Sequence, residues 1–215
     1  MEAPLLFIDH MLVDPRLQAE IAARCQAAMT LDEPVHVATD LGLLHLPGEG
    51  ACRVWQVHAA DAVLLDDLGQ IVLITRLYNP GRGKLALPGG LLDATETGVE
   101  SSLHAALREA AEETGLSADD LHTATVTQLG HRRFQRPFDI RRAWNNLPGT
   151  LIRQGELFTV STLGFRVRVR GDLRDFALKP GDDATALKIL PACDVSPQSL
   201  AVPDHLDLIK DALAI

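Results

Sequence analysis

The stretch from Leu85 to Leu116 constrains the fold more than any other, because it asks one helix to satisfy two incompatible surroundings. A short apolar run, Leu85-Ala86-Leu87, ends in Pro88-Gly89-Gly90, and a helix is predicted to follow and to reach Thr114, with Gly115 as its stop. Each helical residue turns about 100°. Glu109, Glu112 and Glu113, related by i, i+3 and i+4, therefore share one face, while Leu103, Leu107 and Ala110 gather on another that can pack on a sheet. Three carboxylates held together repel unless something positive sits among them, and hard oxygen donors suit Mg²⁺ or Mn²⁺. Arg108 stands four residues before Glu112 and can hold it in position. Taken alone, the three glutamates would be an ordinary solvated acidic face. The Gly89-Gly90 pair changes that reading, because adjacent glycines let the backbone approach a metal or a phosphate closely.

Composition narrows the class. At 215 residues the chain is one domain, or one plus an appendage, on a prior of ~150 residues per domain. Hydrophobic residues at 47% and charged residues at 23% are ordinary globular usage, and only 4% are aromatic, so aliphatic side chains must build the core. The net charge of −9 argues against sequence-independent nucleic-acid binding, which needs a basic footprint. It does not exclude an anionic small substrate whose charge cations offset. Cys25, Cys52 and Cys193 are far apart and follow no CxxC spacing, which predicts free thiols and a reducing compartment. No apolar run approaches the ~18 residues of a membrane span. The start is acidic and too briefly apolar for a signal peptide, so the expectation is a cytoplasmic protein without membrane or nucleic-acid partners.

Along the chain, Pro15–Thr30 reads as an amphipathic helix capped by Asp14, and Pro34–Leu46 as extended. Pro47-Gly48-Glu49-Gly50 marks a boundary, leaving residues 1–50 as an N-terminal appendage for dimerisation or lid formation and 51–215 as the main domain. Ala62–Leu65 and Ile71–Ile74 flank Asp66-Asp67-Leu68-Gly69-Gln70, a hairpin signal. Leu121–Leu129 reads as extended, 131–155 as a long loop, Glu156–Arg170 as a strand, Ala186–Leu190 as another, and Val202–Ala214 as a closing helix. Phe165, Val167 and Val169 alternate with Arg166, Arg168 and Arg170, the period of a half-buried strand whose arginines face solvent. The class is α/β or α+β with a mixed β-sheet.

Arg108-Glu109-Ala110-Ala111-Glu112-Glu113-Thr114-Gly115-Leu116 closely resembles the second half of the Nudix hydrolase signature, Arg-Glu-U-x-Glu-Glu-x-Gly-U with U aliphatic. In that family a Gly, five residues, a Glu and seven residues precede it. Here Glu100 has the family spacing to Arg108, but Ala94 stands where its Gly belongs. Counted from Gly90 the Glu is Glu96, so this chain carries about four extra residues. Four residues are close to one helical turn, which leaves a longer helix or a longer loop open. The resemblance covers roughly residues 55–215. It implies a Nudix α/β/α sandwich with a mixed sheet, and hydrolysis of a nucleoside diphosphate linked to another moiety. Glu109, Glu112, Glu113 and the Gly89 carbonyl would be ligands of two or three Mg²⁺ or Mn²⁺ ions. Arg108 would orient the glutamates, and Glu96 or Glu100 would act upstream.

Three further segments resemble ADP-ribose pyrophosphatases: His58-Ala59-Ala60-Asp61, Gly181-Asp182-Asp183-Ala184, and, more loosely, the loop with Asp139, Arg141, Arg142 and Trp144. They point to ADP-ribose, cleaved to AMP and ribose 5-phosphate. Other nucleotides (NADH, a nucleotide sugar, a dinucleoside polyphosphate) and a non-cleaving nucleotide sensor are the rival readings, and a homodimer is compatible. Arg76, Arg132 and Arg133 are candidates for the diphosphate, as is Arg136. Trp144 or Phe134 is a candidate for stacking on the base, and Asp182 or Asp183 for orienting a loop or supplying a base. Glu156 is a further candidate base, and His104 reads as structural or solvated.

Overall fold

The structure, a computed structural model, describes residues 6–29, 31–79, 81–134, 140–143 and 152–214. In chain order its elements are β1 (Phe7–Ile8), β2 (Met11–Leu12), α1 (Pro15–Ala28), β3 (Ala38–Leu46), β4 (Gly50–Leu65), β5 (Gln70–Arg76), β6 (Leu85–Ala86), β7 (Gly89–Leu91), β8 (Ala94–Thr95) and β9 (Gly98–Val99). There follow α2 (Ser102–Thr114), α3 (Ala118–Thr123), β10 (Thr125–Phe134), β11 (Arg141–Arg142), β12 (Leu157–Arg168), β13 (Ala184–Pro191) and α4 (His205–Ala214). This is a mixed α/β fold. Two compact units interleave along the chain: Met1–Ala59, Leu91–Ser101 and Arg132–Thr162 form one, and Ala60–Gly90, Ser102–His131 and Leu163–Ile215 the other. The strands β4 and β12 each contribute residues to both.

In the first unit α1 starts where Asp14 accepts from the amides of Arg16 and Leu17, with Pro15 at a position that needs no N–H. Ile21 and Cys25 on its buried side join Leu12, Leu44, Leu46, Val54, Ile140 and Leu157 in one apolar cluster. Burial of Cys25 pushes its thiol up to about 12, the behaviour of a small apolar group. Arg24 ties α1 to β3 by donating to the carbonyls of Leu41 and Leu43. The strands β3 and β4 pair antiparallel from Ala38↔Val57 to Leu46↔Gly50.

In the second unit the Asp66–Gln70 hairpin forms as the sequence predicts. Asp66 accepts from the amides of Leu68 and Gln70, and Gly69 takes the positive φ of 75° that the turn requires. The β5 strand is paired along its length with β13 and at Ile74 and Thr75 with β6. The core here joins Val63, Ile71, Leu73, Leu87 and Leu129 to Leu208, Ile209 and Ala212 of α4. Each large aliphatic side chain contributes roughly 1.5–3 kcal/mol on burial. The alternation running out of β12 holds in part: Phe165, Val167 and Val169 are buried and Arg168 and Arg170 exposed, but Arg166 is half-buried and donates to the Ala212 carbonyl.

Three expectations need correction. Residues 118–123, at the start of the stretch read as extended, form α3, because Ser117 and Asp120 close a capping box and nucleate a short helix. The loop expected over 131–155 is in part β structure, since β10 continues to Phe134 and β11 pairs with β12. On α2 the buried side is Ala105, Ala106, Ala110, Glu113 and Thr114, while Leu103 is 40% exposed. Small alanines, not leucines, form the packing stripe. No helix of the described residues is long and apolar enough to cross a membrane.

Candidate functional site

In the second unit the Pro88-Gly89-Gly90 turn and α2 come together as the charge pattern suggested. The amide of Gly89 donates to Glu113 Oε2 at 2.9 Å. A side chain on Gly90 would collide with the Glu109 carboxylate, and one on Gly89 with the Asp61 carboxylate and the carbonyl of Ala60. Gly89 is therefore needed for close approach to backbone, and Gly90 leaves the Glu109 carboxylate its place; neither is there for an unusual backbone angle. The amide of Ala62 holds the turn from the other side, donating to the Pro88 carbonyl at 2.8 Å.

Arg108 lies between two of the glutamates, 2.8 Å from Glu109 Oε1 and 3.1 Å from Glu112 Oε2. Glu112 is the most exposed of the cluster, with its side chain 60% accessible. Glu113 is buried, and burial pushes its carboxyl up to about 8. The Gly89 amide pulls the other way, Glu109 and Asp61 raise it further, and Arg76 at the end of β5 lowers it. Burial and the neighbouring carboxylates thus act together on Glu113 against the Gly89 amide and Arg76.

The C-terminal end of α2 is closed by the 179–183 segment. The amides of Lys179 and Gly181 donate to the carbonyls of Thr114 and Glu113, groups that a helix end leaves without a partner. Gly181 sits so close to the Glu112 carbonyl that no other residue fits. Asp182 and Asp183 are exposed and, with Glu109, Glu112, Glu113 and Gly181, line a cleft of about 630 Å³. Among the described residues no group of three His, Cys, Asp or Glu side chains is arranged to hold a metal ion. The donor chemistry nonetheless fits one. Glu109 and Glu113 converge on the same glycine pair, and Arg108 occupies the position of a balancing charge.

Other candidates belong to the first unit. The residues beyond the family spacing form the β8–β9 hairpin, so the insertion is a loop and α2 is not lengthened. Glu96 is exposed within it. Glu100 is buried, accepts from the Asp93 amide at 2.8 Å and returns its own amide to the Asp93 carbonyl. Arg132 is only 4% exposed, and its guanidinium donates to the carbonyls of Asp32, Ala59 and Ser161. It holds main chain together. Arg133 beside it is half-buried. Arg142 stacks on Phe7, 3.9 Å from the ring centre, and pairs with Glu49. Glu156 accepts from the indole of Trp55 and from the Arg153 amide, a structural use of that carboxylate. His104 is exposed. Arg136, Asp139, Trp144 and the side chain of Phe134 lie outside the described residues.

Two site residues escaped the sequence reading. Asp61, on β4, and His205, at the start of α4, are both buried in the second unit, with His205 Nε2 3.7 Å from Asp61 Oδ2. His205 Nδ1 accepts from the Leu87 amide at 3.1 Å. Asp61 was visible only as part of a family-like tetrapeptide, and nothing local in the sequence links it to a histidine so far along the chain.

The comparison with known families agrees with this geometry. Residues 55–144 match the model of the NUDIX domain. Residues 55–144 are thus similar to a NUDIX domain. No curated protein matches it. Among solved structures, the NUDIX domain of Shewanella oneidensis NrtR, complexed with ADP ribose, is 24% identical with a TM-score of 0.50, over 74% of this chain and 87% of that one. A Caenorhabditis elegans Ap4A hydrolase is 16% identical with a TM-score of 0.45, over 73% of this chain and 95% of that one. At 24% identity the likeness to the Shewanella domain speaks for the fold alone.

Proposed function

We propose that this protein is a divalent-cation-dependent pyrophosphatase that hydrolyses ADP-ribose to AMP and ribose 5-phosphate. The observation that carries the reaction class is the convergence of the Glu109 and Glu113 carboxylates on the Gly89-Gly90 pair, where a side chain on Gly89 would meet backbone and one on Gly90 would displace the Glu109 carboxylate. Like charges gathered against backbone, with burial raising Glu113, call for bound positive charge. Glu109, Glu112, Glu113 and the carbonyl of Gly89 would hold Mg²⁺ or Mn²⁺. Bound there, such ions neutralise the diphosphate oxygens and make a water nucleophilic. Arg108 sets the carboxylates of Glu109 and Glu112 in place, and a carboxylate of the cluster takes the proton of the attacking water. Arg76, Asp182 and Asp183 are the residues of this unit proposed to meet substrate.

The choice of ADP-ribose rests on the His58-Ala59-Ala60-Asp61 and Gly181-Asp182-Asp183-Ala184 segments. It is compatible with the ligand of the Shewanella NUDIX domain. The test is product analysis with ADP-ribose, NADH, a nucleotide sugar and a dinucleoside polyphosphate, each with and without Mg²⁺. The expected result is Mg²⁺-dependent AMP formation, fastest from ADP-ribose. Faster cleavage of another member of the panel would move the substrate assignment. Tight ADP-ribose binding with no product would replace the enzyme by a sensor.

A further inference from the structure

We propose that Asp61 and His205 are positioning residues of the cation site: a buried pair that fixes the Leu87–Gly90 turn, and with it Gly89, against the carboxylates of α2. This rests on reading those carboxylates as a divalent-cation site.

The turn is gripped at consecutive residues. The Leu87 amide donates to His205 Nδ1, the Pro88 carbonyl accepts from Ala62, and the Gly89 amide donates to Glu113. A ring nitrogen that accepts a hydrogen bond carries no proton, so the proton of the neutral imidazole stands on Nε2. That nitrogen faces Asp61 Oδ2 at 3.7 Å. Burial holds the ring below its ordinary pKa despite the pull of Asp61, which keeps it neutral. Asp61 completes the grip, because its Oδ1 occupies the space a side chain on Gly89 would need. His205 thus reads one end of the turn and Asp61 the other. Any displacement of Gly89 moves the donor that Glu113 depends on. Hydrogen-bonded neighbours of this kind orient metal ligands without touching the metal.

The experiment uses the full chain and Mn²⁺ alone. Nuclear magnetic resonance of the histidine rings should find His205 with a proton on Nε2 and none on Nδ1. The opposite tautomer would overturn the proposal. Titration with Mn²⁺ then compares wild type with Asp61→Asn, His205→Gln and His205→Asn, each checked for its melting temperature. His205→Asn keeps an acceptor where Nδ1 stands, whereas His205→Gln loses it. Asp61→Asn and His205→Gln should weaken Mn²⁺ binding by about tenfold with little change in melting temperature, and His205→Asn should stay nearer wild type. Wild-type affinity in both Asp61→Asn and His205→Gln would overturn the proposal alone. No Mn²⁺ binding by the wild type would overturn the cation reading and this proposal with it.

Discussion

The two units bury polar groups in opposite ways. In the first, His58 sits between the hydroxyls of Ser161 and Thr39, and Arg132 donates to three main-chain carbonyls. The His58 ring and the Arg132 guanidinium there each meet hydrogen-bond partners of complementary character. In the second, Glu113 meets one amide but also Glu109 and Asp61, carboxylates that raise it. Burial with complementary partners stabilises a fold. Burial of like charges costs stability, and is retained where a ligand of opposite charge completes the site. By that contrast the first network is structural and the second is the one we propose to bind a cation, although both are built from buried ionisable residues.

The contrast can be broken most sharply at α2. Glu112→Gln, changing an exposed carboxylate, should lower kcat by at least about a hundredfold while leaving the melting temperature unchanged. Unaltered turnover would remove the cluster from catalysis. Gly90→Ala should be nearly as damaging to activity, because the added methyl displaces the Glu109 carboxylate. Steady-state kinetics across Mg²⁺ concentrations should show the loss as a raised metal requirement.

In the first unit the effects should fall on stability. Arg132→Leu leaves buried carbonyls without donors and should cost about 3 kcal/mol in denaturant unfolding, at about 1–3 kcal/mol per orphaned group. A smaller effect separates the units by pH. Burial, with Arg132 nearby, holds His58 down at about 4, against 6.5 when unfolded. The unfolded chain therefore binds this proton more readily. The contribution of neutral His58 is whole above pH 6.5 and is lost progressively as pH falls from 6.5 to about 4. His58→Gln should flatten that part of the stability profile. An identical acid slope in the variant would place the titrating group elsewhere.

Much of the second unit was legible in the sequence because its signals are local. The Asp66–Gln70 hairpin, the Gly115 stop, the Arg alternation on β12 and the face shared by Glu109, Glu112 and Glu113 each follow from spacing within a few residues. The insertion before α2 was not decidable by counting, since four residues make one turn of helix or one small hairpin. The hairpin formed. The α3 helix carried its capping pair, Ser117 and Asp120, in plain view, but its brevity hid the helical period. The burial of Arg132 was hidden for a different reason. Arginine is usually solvated, and only the three-dimensional arrangement shows the carbonyls that bury it. The Asp61–His205 pair depends on contacts between distant parts of the chain, which no local pattern encodes.

The most direct measurement is Mn²⁺ binding by the full chain, wild type beside Glu109→Gln, Glu112→Gln and Glu113→Gln. The account predicts saturable binding by the wild type, weakened by each substitution and competed by Mg²⁺. Wild-type binding that survives all three substitutions, or no binding at all, would contradict it.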